Sequence, residues 1–213
     1  MAKSQSAIEQ ITVSLDEEHF SPSDADGLLN VLRSRGLRSS ARVMSRKSEI
    51  STVGLIWLGV KIAGEFSLVK FADLFIQQIY DAVLRDPLDA LFARLKKEKR
   101  EAGLVVAEGQ RMLSIYPIDA SDLREAMDQL HAVLPLLESG VDLPFNPDKV
   151  TLMGYTNGKW GVAGSDLEGR FEFDVSVAAF RPYTNPQMSP EDEKEWFLKK
   201  FGVELKDGDI RSG

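Results

Sequence analysis

The sequence contains no cysteine among its 213 residues. Disulfides, thiolate zinc sites, iron–sulfur clusters and a cysteine nucleophile are thereby excluded. Only two histidines are present, His19 and His131, far apart in the chain. A histidine-rich metal site is excluded with them, and no metal or other cofactor is expected. The chain also lacks G-x-x-x-x-G-K-[ST], G-x-G-x-x-G, G-x-S-x-G and H-E-x-x-H. A phosphate-cradling glycine loop, a hydrolase nucleophile elbow and a metalloprotease helix are therefore not indicated.

Positive charge is in short supply as well. There are 26 basic and 33 acidic residues, a net charge of −7. General nucleic-acid binders carry the opposite balance, so nucleic acid is not an expected partner. The deficit is local: residues 1–111 hold 16 basic and 15 acidic side chains, and residues 112–213 hold 10 and 18. Uncharged apolar runs stay well short of the ~20 residues a membrane span needs. The start, Met1-Ala2-Lys3-Ser4-Gln5-Ser6, has no apolar signal core and no glycine for myristoylation. A cytoplasmic location is the expectation.

The rest is ordinary globular material, 43% hydrophobic and 28% charged. Ile11, Val13 and Leu15 alternate with Thr12 and Ser14 and predict a strand over 10–16. Ser21, Pro22 and Asp24 open a helix that Gly36 stops, and a second strand follows over 40–46. Asp86-Pro87 starts another helix, with Leu88, Leu91, Phe92 and Leu95 as its stripe and a basic end that suits the helix dipole. Strands are predicted over 103–107 and 111–117, then a helix carrying Leu123, Ala126, Met127, Leu130, Leu134 and Leu137.

The most unusual stretch is 51–84. Val53–Ala63 holds one charge, Lys61, and apolar residues continue to Leu84. Two helices are predicted, 53–64 and 67–84, with a break near Gly64. At about 100° per residue, Lys70, Asp73, Gln77 and Asp81 fall on one side of the second helix. Val69, Ala72, Phe75, Ile76, Ile79 and Val83 fall on the other. Such an apolar face is either core or a partner surface. On the second reading Trp57, Phe66, Val69, Phe75 and Ile79 are the candidate partner-binding residues. Membrane association through 53–84 is the remaining alternative, opposed by its interrupting charges.

A second candidate surface lies between Gly27 and Ser48, which contains Arg33, Arg35, Arg38, Arg42, Arg46 and Lys47 and no acid. It reads as a solvated helix end and strand face, or as a patch for an anion or acidic partner. The stretch 141–149, with Pro144, Asn146 and Pro147, is the linker candidate. Beyond it, Asn157-Gly158 between apolar runs is a hairpin signal, and Phe171 to Ala179 alternates as one half-buried strand. Tyr155, Trp160 and Phe173 are the candidate lining of a ligand cleft, against the alternative that they are core. Asp16-Glu17-Glu18-His19 reads as a solvated turn. Glu172 and Asp174 share the outward face of their strand. Ser189-Pro190-Glu191 opens a last helix with Trp196, Phe197 and Leu198, before a polar tail.

The sequence resembles the effector-associated constant component of bacterial and archaeal conflict systems over residues 9–138. The likeness is carried by Ile11–Asp16, Leu28–Val43, the apolar segment after Val53, and Leu104–Met127. It implies a non-enzymatic accessory protein, an adaptor between sensor and effector modules, and carries over no catalytic residue.

The reading is an α+β protein. Residues 1–140 form a small mixed sheet with packed helices. Residues 150–205 form an antiparallel β unit with a closing C-terminal helix, and 206–213 is a polar tail. The expected function is a non-catalytic interaction or adaptor protein that self-associates or binds a protein partner. The alternative is a small-ligand binder or enzyme using the aromatic β unit.

Overall fold

The period-two pattern at the start of the chain sets the first strand. Ile11, Val13 and Leu15 are buried on one side of β1 (Ile8–Asp16). α1 (Pro22–Ser34) begins where Asp24 accepts the backbone N–H of Ser21 at 2.8 Å, with proline at the first helical position. It buries Leu28, Leu29 and Leu32. The computed structural model describes residues 8–44, 53–64, 66–118, 120–164, 167 and 170–183. The expected C-terminal helix and tail, and Arg46, lie outside the described residues.

The fold is α+β, built on one mixed sheet of nine strands in the order β2-β1-β3-β4-β5-β6-β7-β8-β9. β2 (Ser39–Met44) pairs parallel with β1 around α1, and β3 (Val53–Ile62) pairs antiparallel with β1 on its other edge. A long helical stretch then leads to β4 (Glu101–Glu108), which is parallel to β3. It runs through α2 (Leu68–Leu74), a π-helical segment (Phe75–Leu84) and α3 (Arg85–Lys97). β5 (Arg111–Ile118) closes a hairpin with β4. α4 (Ala120–Ser139) carries the chain to β6 (Leu152–Thr156), parallel to β5. β7 (Lys159–Ala163), β8 (Phe171–Asp174) and β9 (Ala179–Pro182) follow as antiparallel neighbours.

The stretch 53–62 is a strand, not the helix expected there. β3 is flanked by β1 and β4 and is apolar on both faces. Ile56, Leu58 and Val60 join the main core, while Val53 and Leu55 join a second cluster with Val105 and Tyr116. A strand apolar on both faces loses its alternation and reads as one apolar run, which periodicity cannot tell from a buried helix. The helix over 68–84 is present, with Lys70 and Gln77 outward and Val69, Phe75, Ile76 and Ile79 buried. Its buried pairs 75/76, 79/80 and 83/84 recur every four residues, longer than the 3.6 of an α-helix. The wider π turn accommodates that repeat.

The described helices pack on one face of the sheet, since the main cluster joins helical residues to inward strand residues and the second cluster is made of strand residues alone. The region 141–149 does not separate two sheets. β6 hydrogen-bonds to β5, and Phe145 packs against Phe171 and Phe180, ring centres 4.7 and 5.2 Å apart. Asn157 and Gly158 both adopt positive φ, 52° and 78°, as the β6–β7 hairpin turn requires. The single strand expected over 171–179 is two. Asp174 Oδ1 accepts the Ser176 backbone N–H at 3.0 Å and the Ser176 hydroxyl at 2.6 Å. That side-chain turn folds the chain back and leaves Val175 and Val177 exposed.

Candidate functional site

The structure does not gather the expected partner-binding residues onto one surface. Val69, Phe75 and Ile79 lie in the main core, and Phe66 packs half-buried against it. Trp57 is half-buried on the other side of the sheet, against the second cluster. Among the described residues no helix is long and apolar enough to cross a membrane. The candidate cleft residues Tyr155, Trp160 and Phe173 are all buried on the helix side, at 4%, 0% and 4% exposure. Their rings cannot line an open cleft. Trp160 is fixed by its indole N–H, which donates to the Ala126 carbonyl at 2.8 Å and docks β7 on α4.

The arginine patch surrounds the edge strand β2. Arg33 and Arg35 end α1, Arg38 precedes β2 and Arg42 lies on it, all exposed. Arg33 Nη2 donates to the Ser39 carbonyl at 3.3 Å. Among the described strands β2 is at the sheet edge, where cations such as Arg38 and Arg42 oppose unwanted strand pairing. In the turn after β1, Glu17 and Glu18 are exposed as the solvated reading expects, but Asp16 is wholly buried and accepts the Glu18 N–H at 3.2 Å. Glu172 and Asp174 do face outward and pair with Lys159 at 3.2 Å and Arg181 at 3.3 Å. His131 is exposed and meets Asp81 at 3.3 Å.

Buried polar atoms of Tyr80, Asp89 and Gln129 that lack a hydrogen-bond partner among the described residues lie around the meeting of α3 and α4. A groove of about 680 Å³ lies there, lined by Asp89, Ala90 and Ala93 of α3 and by Arg124, Glu125, Asp128 and Gln129 of α4. Asp89 sits beside the Leu88–Leu91–Phe92 stripe, which carries it inward, and its side chain is 10% exposed. Arg124 reaches it with two nitrogens, Nε at 2.7 Å and Nη2 at 2.6 Å, both on Oδ2. Oδ1 is buried with no hydrogen-bond partner among the described residues. The hydrogen bond and negative charge of Asp89 push the Arg124 guanidinium further up in pKa.

Gln129 shows the same half-use. Its amide nitrogen donates to Glu125 Oε1 at 3.1 Å and to the Gly158 carbonyl at 3.1 Å, while its oxygen is buried with no partner among the described residues. Behind the groove Tyr80 rises from the π-helical segment, 1% exposed, its hydroxyl buried without a hydrogen-bond partner among the described residues. Burial first, and the Asp89 charge second, push its phenol up to about 12. The Arg85 guanidinium lies 5.6 Å from the Tyr80 ring centre. Tyr155 is also pushed up to about 12, by burial and then by the charge and hydrogen bond of Glu125.

None of these groove residues stands out in the sequence, because Asp89 and Arg124 are 35 positions apart in helices rich in charge. The one available signal was an aspartate flanking an apolar stripe. Compared with known proteins, the chain matches no family model, no curated protein and no solved structure.

Proposed function

We propose that the protein is a non-catalytic interaction module, an adaptor that holds a protein partner on the groove between α3 and α4. The observation behind this reading is the half-engaged Asp89 side chain, nine-tenths buried yet left with an open acceptor beside a surface groove. Native folds satisfy such groups, with water, an ion or another molecule, and its place beside a surface groove is what favours a partner here. Two small alanines between charged side chains also match the make-up of a protein contact, a narrow apolar strip with a polar rim. The resemblance of residues 9–138 to a conflict-system component supports a cytoplasmic accessory role in a prokaryotic defence or signalling system.

The test fills the groove. Ala90 is exposed on α3, so Ala90→Trp occupies the space without entering the core. The protein is purified from native lysate and the mass of the complex is measured by light scattering. Wild type is expected to carry a stoichiometric protein partner. Ala90→Trp is expected to lose it, and Val141→Ser, at an exposed turn, to keep it. A wild type with nothing bound, or an Ala90→Trp variant that keeps its partner, overturns the proposal.

A further inference from the structure

Resting on that reading, we propose that the groove recognises a basic side chain, an arginine or lysine presented by a partner protein. The unmet groups set the chemistry. Asp89 Oδ1 and Gln129 Oε1 only accept hydrogen bonds, so their complement is a donor. Gln129 cannot turn its amide round without losing its bonds to Glu125 and Gly158. The surrounding charge has the same meaning. Glu125 and Asp128 stand exposed on the α4 wall, and Asp86 acts on Arg124 from the start of α3. The one cation lining the groove, Arg124, is already committed to Asp89. An incoming anion meets the Glu125 and Asp128 carboxylates, and the one cation among the lining residues is already paired, whereas an incoming cation is drawn by those carboxylates and opposed by Arg124 alone. Ala90 and Ala93 leave room for the aliphatic stem that an arginine or lysine lays along an apolar surface.

Asp89 Oδ1 lies beneath the surface, so the guest reaches it by replacing Arg124. That exchange is feasible because the Arg124 side chain is 65% exposed and stays hydrated when it swings away. A guanidinium suits it better than an ammonium, since its fork can serve both carboxylate oxygens at once. The binding residues are therefore Asp89, Glu125, Asp128 and Gln129, with Arg124 as an internal competitor.

Fluorescence anisotropy with a labelled peptide, Arg-Gly-Arg-Gly-Arg, tests this at low salt. The peptide is expected to bind, and its Glu-for-Arg counterpart is not. The Glu125→Gln/Asp128→Asn double variant is expected to bind about tenfold more weakly, and 0.5 M salt to remove most of the binding. Arg124→Gln is expected to bind several-fold more tightly, a direction that loss of structure does not produce. No binding, equal binding by the double variant, or weaker binding by Arg124→Gln overturns the proposal. Spermidine that displaces the peptide at equal concentration overturns its assignment to a protein side chain. If Ala90→Trp loses its partner while the charge variants keep theirs, the adaptor reading stands and the basic-side-chain reading falls.

Discussion

Tyr80→Phe is expected to stabilise the protein. The ring is 1% exposed, and its hydroxyl is buried with no partner among the described residues. A buried hydroxyl left unpaired costs roughly 1–3 kcal/mol, because it gives up its water without replacement. Phenylalanine keeps the ring and removes that cost. The void it leaves is the size of one oxygen, about 10–15 Å³, and at ~24 cal/mol per Å³ costs a few tenths of a kcal/mol. The net gain is about 1 kcal/mol or more. Urea unfolding measures it directly: the midpoint rises at unchanged slope. Tyr155→Phe is the matched control, since its hydroxyl bonds Glu125, and it is expected to lose about 1 kcal/mol. A Tyr80→Phe variant less stable than wild type by 0.5 kcal/mol or more would refute the reasoning. It would mean that the hydroxyl has a bonding partner in solution, such as a held water.

Four further outcomes are expected. Both phenols are raised to about 12 in the fold against an ordinary value near 10, so the native state holds these protons more tightly than the unfolded chain. Stability is fully present below about pH 10 and falls as pH rises toward 12, which unfolding midpoints across that window will show. Asp24 is the opposite case: burial pushes its carboxyl up, but hydrogen bonds from Arg94 and Ser21 outweigh burial and hold it below the usual range. Its contribution is present above about pH 4 and is lost on acidification, and Asp24→Asn is expected to flatten that acid limb. Trp160→Phe removes the bond to Ala126 and opens a void between β7 and α4. It should cost about 1–3 kcal/mol in urea unfolding and loosen amide-exchange protection in α4. Gly164→Ala would place a Cβ 2.1 Å from the Lys149 carbonyl oxygen, so the backbone must shift, and a drop in melting temperature of several degrees is expected.

Where a feature depends on neighbours along the chain, the sequence was enough. The Asn157-Gly158 turn is local chemistry, since both residues tolerate positive φ, and it formed as read. The polar column Lys70, Gln77 and Asp81 is likewise a local period and faces outward. β3 reads as a helix because it is apolar on both faces: one packs under the helices, the other against side chains of its sheet neighbours, and both sets of contacts come from elsewhere in the chain. The break between β8 and β9 was hidden because Asp174 interrupts an alternation that its turn does not disturb in composition. The groove was not legible at all. Asp89 acquires its role only through Arg124 on another helix, and its unmet oxygen exists only once both are packed.

The strand order bears on how the chain is made. From β4 onward every described strand lies beside the one synthesised just before it, while β2 and β3 dock on the two opposite edges of β1. No later strand must thread between two already paired. The sheet can therefore extend in the order of translation, each hairpin or crossover docking on a finished edge as it leaves the ribosome. Sequential pairing keeps most loop closures short, which favours rapid assembly for a mixed sheet of this width. Among the described strands, the same logic makes β8 and β9 the last laid down. The α3–α4 groove, complete once β7 has docked Trp160 and Gly158 on α4, would already be in place.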